Sequence, residues 1–368
     1  MLISKIDVFG YDVSYAHGSY VMSRDRIVTS LPSTVVRMTT DDGLIGFGEV
    51  CPLGTTYLPA FGGGARAAIR EIAPALVGLD PCNIAEVHRA MDDALLGHGY
   101  AKSALDMACW DILGKATRQP VSTLLGGRRQ ESYPLYIAVP HGPVKEMVQF
   151  VGEYRSQGVH RFQLKLGGDP KADVARVGEI LAATDDQDVV IADANGGWRL
   201  QDAIIAARLL ESFPRTYLEQ PCPTLQECRY VRQHTNLPMI LDEVITDVQV
   251  LCNAYHGGAM DAINLKISRV GGLTRAKQMR DLAQALGLRL TIEDTWGGDV
   301  TTAAISHLAA TTDPAALFTV SFMNAWVNEH IGGFKPRSKN GIGETPSGPG
   351  LGIEVDVAAL GEPLFSVQ

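Results

Sequence analysis

Residues 189–243 read VVIADANGGWRLQDAIIAARLLESFPRTYLEQPCPTLQECRYVRQHTNLPMILDE. Three short apolar runs in this stretch, VVIAD, TYLE and MILD, each end in a carboxylate, and helical spacing of apolar residues separates them, as at Ala203 to Leu210. Short apolar runs that alternate with helices indicate parallel strands joined by crossover helices. The stretch therefore predicts consecutive βα units with an acid at the end of each strand.

The same rhythm begins after Gly127 and continues towards the C-terminus, with a further crossover helix at Leu273 to Leu286. The predicted strands are Leu135 to Val139, Phe162 to Leu166, Val189 to Asp193, Thr216 to Glu219, Met239 to Asp242, Ala262 to Lys266, Arg289 to Ile292 and Leu317 to Val320. Eight parallel strands at near-regular spacing predict a closed barrel of the α/β class. We expect a modified (β/α)8 barrel, of the (β/α)7β form.

The N-terminal region has a different, α+β pattern. Strands are predicted at Ile3 to Asp12, Ser33 to Met38 and Leu44 to Glu49, helical periodicity starts at Ala65, and Tyr100 to Lys115 reads as a buried helix. The terminal GPGLGIEVD, residues 348–356, is Gly-rich and then strand-like, and we expect it to fold back on this region. The predicted division is a capping domain at 1–127, completed by about 346–368, and a catalytic barrel at 128–345.

Composition limits the function. Of 368 residues, 46% are hydrophobic and 20% charged, as in an ordinary globular enzyme, and the net charge of −9 disfavours nucleic acid as a partner. The N-terminus lacks the pattern of a signal peptide, no segment has the length of a membrane span, and the six cysteines form no CxxC pair. We expect a cytoplasmic protein with reduced thiols and no membrane partner. A symmetric homo-oligomer is the default expectation.

Five successive predicted strands carry a charged residue at or near their ends, where the active site of such a barrel lies. These residues are Lys165, Asp193, Glu219, Asp242 and Lys266. Three carboxylates on adjacent strands suit Mg²⁺, a hard cation that prefers oxygen ligands. Taken singly, a strand-end Asp is more often a helix cap, and lysines beside acids also fit a charge-balanced network. Five such residues in succession favour a metal site.

The combination also fits one kind of chemistry. Removal of a proton next to a carboxylate leaves an enediolate, whose oxygens need positive charge nearby. The base must be neutral near pH 7, so we expect burial and adjacent cations to lower the pKa of a lysine. Lys165 and Lys266, on opposite sides of the acidic strands, are predicted to face opposite sides of one substrate carbon.

Longer motifs surround these residues: AKSALDMACWDILGK followed by LLGG, DANGGW at Asp193, LEQP at 218–221, the DE pair at 242–243 and KISRVGGLT at 266–274. With the terminal GPGLGIEVD, they identify the chain as similar to the enolase superfamily, in its muconate lactonizing enzyme subgroup. The resemblance covers nearly the whole chain. It implies Mg²⁺ at Asp193, Glu219 and Asp242 and acid/base roles for Lys165 and Lys266.

One position departs from the subgroup, in which Lys-x-Lys is common on the second strand, because Gln163 replaces the first lysine. The variant QLKLGG, together with DTWGGD at 294–299, resembles enzymes that act on proline betaines and hydroxyprolines. The implied substrate is a cyclic amino acid with a cationic nitrogen. The implied reaction is dehydration of cis-3-hydroxy-L-proline to 1-pyrroline-2-carboxylate, with 2-epimerisation of hydroxyproline betaine or a related proline as the alternative. A ligand-binding protein on an inactive barrel is the non-enzymatic alternative.

The predicted substrate contacts are Tyr57, Gln163, Asn195, Asp294 and Trp296. Tyr57 lies in a Gly- and Pro-rich loop that is expected to close over the barrel mouth. Trp296 either presents its ring to a cationic nitrogen or only packs. Asp294 either pairs with that nitrogen or caps the next helix.

Overall fold

A computed structural model describes residues 1–368. Its strands are β1 Ile3–Ser14, β2 Tyr20–Met22, β3 Arg26–Val28, β4 Ser30–Thr40, β5 Ile45–Val50, β6 Ser132–Pro134, β7 Ile137–Val139, β8 Arg161–Lys165, β9 Val189–Asp193, β10 Thr216–Glu219, β11 Met239–Leu241, β12 Ala262–Lys266, β13 Arg289–Glu293, β14 Leu317–Val320, β15 Ile342–Glu344 and β16 Phe365–Val367.

Its helices are α1 Gly62–Ile72, α2 Ile84–Ala94, α3 Gly99–Thr117, α4 Val121–Leu124, α5 Val144–Ser156, α6 Pro170–Ala182, α7 Leu200–Leu210, α8 Leu225–Arg232, α9 Val248–His256, α10 Ile267–Val270, α11 Leu273–Ala285, α12 Asp299–Ala310 and α13 Val357–Leu360. No helix is both long enough and apolar enough to cross a membrane. All six cysteines are free.

Strands β7 to β14 form one parallel sheet in sequence order. A parallel bridge between Leu135 and Val320, with a hydrogen bond from Tyr136 N–H to the Val320 carbonyl, joins the first strand to the last. The sheet therefore closes into the predicted barrel. All eight predicted strands are present, and several differ by one or two residues at their ends; β11, for example, ends at Leu241, one residue before Asp242.

The side chains that point into the barrel form two layers, an apolar one and, nearer the carboxyl ends of the strands, a polar one. Ile191, Ile240, Ala262 and Phe318 form a small buried cluster of their own. Because side chains two residues apart share a face of a strand, Asp193, Asp242 and Asn264 lie on the same inner face, one step nearer the carboxyl ends. The apolar cluster closes the barrel beneath these polar groups, which are confined to its C-terminal mouth.

The N-terminal residues form a four-stranded sheet in the order β16-β1-β4-β5, packed against α3. The close packing of β5 against α3 requires glycine at one position. A Cβ on Gly48 would lie 1.9 Å from the carbonyl oxygen of Ala104 in α3. The strand predicted within residues 348–356 is wrong, because this segment contains no strand. The predicted return to the N-terminal region does occur: Leu351 N–H donates to Asp111 of α3 at 2.8 Å, and β16 pairs with β1.

Candidate active site

Each candidate acid/base lysine is paired with a carboxylate from the neighbouring strand. Lys165 Nζ, at the end of β8, lies 2.5 Å from Asp193 Oδ2 on β9. Lys266 Nζ, at the end of β12, lies 2.6 Å from Asp242 Oδ2, just past β11, and 3.3 Å from Glu293 Oε1. All of these side chains are buried. The two pairs therefore lie on either side of β10, which ends in Glu219.

Glu219 binds two neutral amides. Gln163 Nε2 donates to its two carboxylate oxygens at 2.9 and 3.0 Å, and Asn264 Nδ2 donates to Oε1 at 2.8 Å. The three acids are brought to one mouth of the barrel, but each engages different partners. No three Asp, Glu, His or Cys side chains are grouped as ligands of a single ion.

The pKa values of the lysines differ from the sequence-based expectation of lowered values. Burial does act to lower the pKa of Lys165, but the charges of Asp193, Tyr20 and Glu219 outweigh it and raise this pKa well above its usual value. The same competition, dominated by Asp242, raises the pKa of Lys266. In this pairing both lysines are protonated, because a carboxylate within hydrogen-bond distance stabilises the ammonium form.

Arg269, from the short helix α10, is a buried cation that the sequence analysis did not assign. Its guanidinium donates to Asp242 Oδ1 at 2.7 Å and to the carbonyls of Asn264 and Ile245 at 2.6 and 2.9 Å. Asp242 is thus held between Lys266 and Arg269. Despite burial, these two cations lower the pKa of Asp242 below its ordinary range.

Two tyrosines from the N-terminal region reach the two lysines. The Tyr57 hydroxyl accepts a hydrogen bond from Lys266 Nζ at 2.7 Å and donates to Asp242 Oδ2 at 3.0 Å. The loop that carries Tyr57 therefore does cover the barrel mouth. Tyr20, at the start of β2, lies beside Lys165, and burial raises its pKa to about 12 although the charge of Lys165 acts to lower it. Each lysine thus meets at least one acid from the barrel and one phenol from the N-terminal region.

A narrow cavity of about 20 Å³ lies between these elements. All seven residues predicted to act on or contact the substrate line it: Tyr57, Gln163, Lys165, Asn195, Lys266, Asp294 and Trp296. Asp294 caps no barrel helix after it, since α12 begins with Gly298 as its N-cap. It instead accepts hydrogen bonds from the Ser268 and Thr295 N–H groups at 3.1 and 2.7 Å, and burial raises its pKa to about 6.

Trp296 both packs and lines the cavity. Its ring makes edge-to-face contacts with Tyr15, Tyr20 and Trp326 at centroid distances of 5.9, 5.1 and 5.7 Å. Its buried Nε1 has no hydrogen-bond partner. The two alternatives raised for Trp296, packing and ligand contact, are therefore compatible.

The residues present suit a hard divalent cation. Burial, and then the charges of Asp193 and Asp242, raise the pKa of Glu219 well above its usual value, and the side-chain hydrogen bonds to this carboxyl group come from neutral amides. Two further buried oxygens, Asn195 Oδ1 and Glu243 Oε2, have no hydrogen-bond partner, although Asn195 Nδ2 donates to Glu243 Oε1 at 3.0 Å. This all-oxygen donor set matches the preference of Mg²⁺.

Several residues of the site escaped the sequence analysis, namely Tyr20, Tyr136, Asn264, Arg269 and Glu293. Two of them left a signal in the sequence. Asn264 precedes Lys266 by two residues, so the alternation of a strand places both on one face. Glu293 ends an apolar strand like the other acids. Tyr20 and Arg269 lie in short elements, where periodicity carries little information, and Tyr136 lies in the predicted first barrel strand, where its pattern does not differ from that of a core residue.

Comparison with known proteins supports the resemblance. Residues 5–126 match the mandelate racemase/muconate lactonizing enzyme N-terminal domain, and residues 146–359 match the enolase C-terminal domain-like family. The chain is 45% identical over 364 residues to cis-3-hydroxy-L-proline dehydratase of Roseibium aggregatum, with 99% of both chains covered. It is 28% identical over 297 residues to N-succinyl-L-Arg/Lys racemase of Bacillus cereus, covering 80% of this chain and 78% of that protein.

A solved structure is also similar to this chain in fold and sequence. A protein of the mandelate racemase/muconate lactonizing enzyme type from Roseovarius nubinhibens ISM, complexed with magnesium, superposes with a TM-score of 0.96 at 33% identity, and all of both chains is covered. The predicted barrel fold and the predicted family are thereby confirmed. The chain belongs to the enolase superfamily, as an enzyme with the N-terminal and barrel domains of its mandelate racemase/muconate lactonizing enzyme group.

Proposed function

We propose that this enzyme is a Mg²⁺-dependent dehydratase that converts cis-3-hydroxy-L-proline to 1-pyrroline-2-carboxylate. The observation that carries the proposal is the 45% identity, over 99% of both chains, to a cis-3-hydroxy-L-proline dehydratase. Two lysines on opposite sides of three acidic strands, facing a common cavity, support the same chemistry.

We assign Asp193, Glu219 and Asp242 to hold the metal, since all three are buried at the ends of adjacent strands and contact residues that line the cavity. Bound Mg²⁺ supplies positive charge that stabilises an enediolate, which lowers the barrier to loss of the α-proton. The magnesium in the Roseovarius nubinhibens structure is consistent with this assignment.

The lysines move the protons. Because the charge of Asp193 is the strongest effect raising the pKa of Lys165, release of this carboxylate from the lysine brings the pKa down and lets Lys165 accept a proton. The same argument applies to Lys266 and Asp242. One lysine takes the proton from Cα. The other protonates the 3-hydroxyl group as its C–O bond breaks, so that water leaves and a C=C bond forms; the resulting enamine tautomerises to the cyclic imine.

Epimerisation is the second candidate. It needs the same proton removal, followed by delivery of a proton to the opposite face of Cα by the second lysine. The two lysines on opposite sides of β10 favour it, and the racemase of Bacillus cereus is related to this chain. In this alternative the substrate is hydroxyproline betaine or a related proline.

The substrate contacts proposed are Tyr57, Gln163, Asn195, Asp294 and Trp296, which line the cavity with the lysines. Asp294 and the ring of Trp296 are suited to a cationic nitrogen, by charge and by the electron-rich ring face. The unpaired Nε1 of Trp296 adds one hydrogen-bond donor for an oxygen of the ligand.

The test is NMR in D2O with Mg²⁺ and a set of proline and hydroxyproline isomers and betaines. The expected result is the imine from cis-3-hydroxy-L-proline, abolished by Lys165→Ala, by Lys266→Ala and by removal of Mg²⁺ with EDTA. Lys102→Ala is the matched control, because Lys102 is also buried and paired with an acid, Asp92 at 2.7 Å, but lies outside the site.

Other outcomes separate the alternatives. Deuterium incorporation at Cα without a new product indicates an epimerase. Tight binding of a proline derivative without exchange indicates a ligand-binding protein on an inactive barrel. Full turnover in both lysine variants would contradict the two-lysine mechanism.

A further inference from the structure

Glu219 differs from the other two acids of the site in how it is held. Asp193 pairs with Lys165, and Asp242 pairs with both Lys266 and Arg269, whereas all side-chain hydrogen bonds to Glu219 come from neutral amides. We propose that Gln163 and Asn264 are positioning residues that fix the Glu219 carboxylate as a metal ligand. We call these three residues the amide clamp, and the inference rests on the Mg²⁺ dependence proposed above.

The geometry of the amide clamp is tight and buried. The three hydrogen bonds measure 2.9, 3.0 and 2.8 Å, and Gln163, Asn264 and Glu219 are 4%, 1% and 0% exposed. Water therefore cannot replace a lost amide without rearrangement. A carboxylate with two fixed donors on opposite sides is also unable to rotate freely, so its lone pairs point in a defined direction.

The topology explains why two amides converge on one acid. In the order β8-β9-β10-β11-β12, Glu219 ends the central strand, and Gln163 and Asn264 lie on the two outer strands. Each amide precedes its lysine, Lys165 or Lys266, by two residues and so shares the inner face of the strand. The strands that present the lysines therefore also present the two amides of the clamp.

The two carboxylate oxygens are not equivalent. Oε1 accepts from both Gln163 and Asn264, whereas Oε2 accepts from Gln163 alone. Since each carboxylate oxygen has two lone-pair sites, Oε2 keeps one that no side-chain amide uses. The two amides thus orient the Glu219 carboxylate and leave its Oε2 able to bind a cation.

The clamp also accounts for glutamine at position 163, where related sequences commonly carry lysine. An amide donates hydrogen bonds without bringing a positive charge, so no ion pair competes with a divalent ion for the Glu219 carboxylate. A lysine at the same place would form an ion pair with Glu219 and compete with the metal for it.

Isothermal titration of the full-length protein with MgCl2, without substrate, tests the clamp. We expect Gln163→Met and Asn264→Leu, which keep volume but remove the donors, each to weaken Mg²⁺ binding about 10- to 100-fold. Gln130→Met is the matched control, because Gln130 donates its amide to the carbonyls of Ala309 and Thr312 at the far end of α12 and should leave the Kd unchanged.

The double variant adds a second criterion. Both amides act on one carboxylate. The fold increase in the Kd for Mg²⁺ in the double variant should therefore differ from the product of the increases in the two single variants. Thermal unfolding in EDTA verifies that each variant is folded. If an apolar variant does not fold, Gln163→Asn, too short to reach both oxygens, and Asn264→Ser take its place.

The outcomes distinguish failure of the proposed Mg²⁺-dependent function from failure of the amide clamp. Wild-type protein that does not bind Mg²⁺ overturns the proposed function and the clamp with it. Wild-type protein that binds Mg²⁺, with folded Gln163 and Asn264 variants that bind it equally well, overturns the clamp alone.

Discussion

The carboxylate of Glu49, on the last strand of the N-terminal sheet, accepts a hydrogen bond at 3.0 Å from the backbone N–H of Thr301 in the first turn of α12. Its other oxygen accepts from the Gly298 N–H at 3.0 Å and from the Tyr11 hydroxyl at 2.6 Å. The start of a helix has unpaired N–H groups and a partial positive charge. Glu49 is fully buried and satisfies this helix end from a distant part of the chain.

Replacement of Glu49 by alanine should lower the free energy of unfolding by about 2 kcal/mol or more, because it leaves buried N–H groups without a partner. Urea unfolding measures the change as a lower midpoint. Tyr11→Phe is the control, since it removes one donor to Glu49 but keeps the helix cap, and it should cost about 1 kcal/mol. Equal midpoints for wild type and Glu49→Ala would show that this contact does not stabilise the fold.

Gly272 lies at the contact between α3 and the barrel, and Gly287 serves as a comparison. Both have positive φ, 111° and 74°, and Gly272 also has ψ of 179°, a conformation essentially confined to glycine. A Cβ on Gly272 would lie 2.3 Å from Asp106 Oδ2, a buried atom, whereas a Cβ on Gly287 would meet no atom within 4 Å. Both alanine variants incur a backbone penalty at positive φ, about 1–2 kcal/mol for Gly287 and more for Gly272, and only Gly272→Ala adds steric overlap of about 1–3 kcal/mol.

We therefore expect Gly272→Ala to unfold at clearly lower urea concentration than Gly287→Ala. The difference between the two midpoints measures the overlap with Asp106 together with the larger backbone penalty at Gly272. Identical midpoints would mean that the Asp106 side chain moves aside at little cost.

His307 makes stability depend on pH. Its ring is fully buried, accepts a hydrogen bond from the Ser122 N–H at 3.0 Å and faces the Leu351 carbonyl at 3.1 Å. Burial lowers its pKa from 6.5 to about 4. The folded state thus binds a proton on His307 less well than the unfolded state does. The free energy of unfolding is therefore unaffected by this group above pH 6.5 and decreases as the pH falls towards 4.

The expected loss attributable to His307 across this range is on the order of 3 kcal/mol. Urea unfolding at several pH values measures it, and His307→Gln, which cannot titrate, should show a shallower decline between pH 6.5 and pH 4. A parallel decline in the variant would assign the pH dependence to other groups.

Tyr57 positions Lys266, since its hydroxyl accepts from Nζ at 2.7 Å and donates to Asp242. Tyr57→Phe removes two hydrogen bonds to charged groups, each worth about 1.5–3 kcal/mol, so kcat should fall roughly 10- to 100-fold or more. Steady-state kinetics on the substrate found by NMR measures this change. Tyr230→Phe, at a half-exposed tyrosine outside the cavity, is the control. Unchanged kcat and KM in Tyr57→Phe would remove this hydroxyl from the mechanism.

Two expectations from the sequence stay predictions. The division into a capping domain at 1–127, completed by about 346–368, and a barrel at 128–345 is tested by limited proteolysis, which should cut near the boundary first. The homo-oligomer is tested by analytical ultracentrifugation of the full chain.

The barrel strands and the acids at their ends were predictable because the information is local. A parallel strand buried on both faces is a short apolar run, and a charged residue ends it where the strand reaches the mouth of the barrel. Asp193, Glu219 and Asp242 were found in this way, as was Lys266. The carboxyl ends of neighbouring parallel strands share one edge, so their approach followed from the pattern alone.

The partners of these residues were not predictable. The hydrogen bond between Tyr57 and Lys266 joins residues 209 positions apart, and no periodic pattern links an irregular loop to a barrel strand. The direction of the lysine pKa shifts was wrong for the same reason: burial lowers the pKa of an ammonium, but a carboxylate 2.5 Å away raises it more, and that distance exists only in the folded chain.

The sequence by itself thus determined the class of fold, the order of the strands and which acids and lysines stand at their ends, since each depends on spacing within a segment. The tertiary structure alone decided which amide, phenol or carboxylate meets each of them. It also decided that 348–356 lies on α3 without forming a strand, because Leu351 and Asp111 lie 240 residues apart and meet only when the chain is packed.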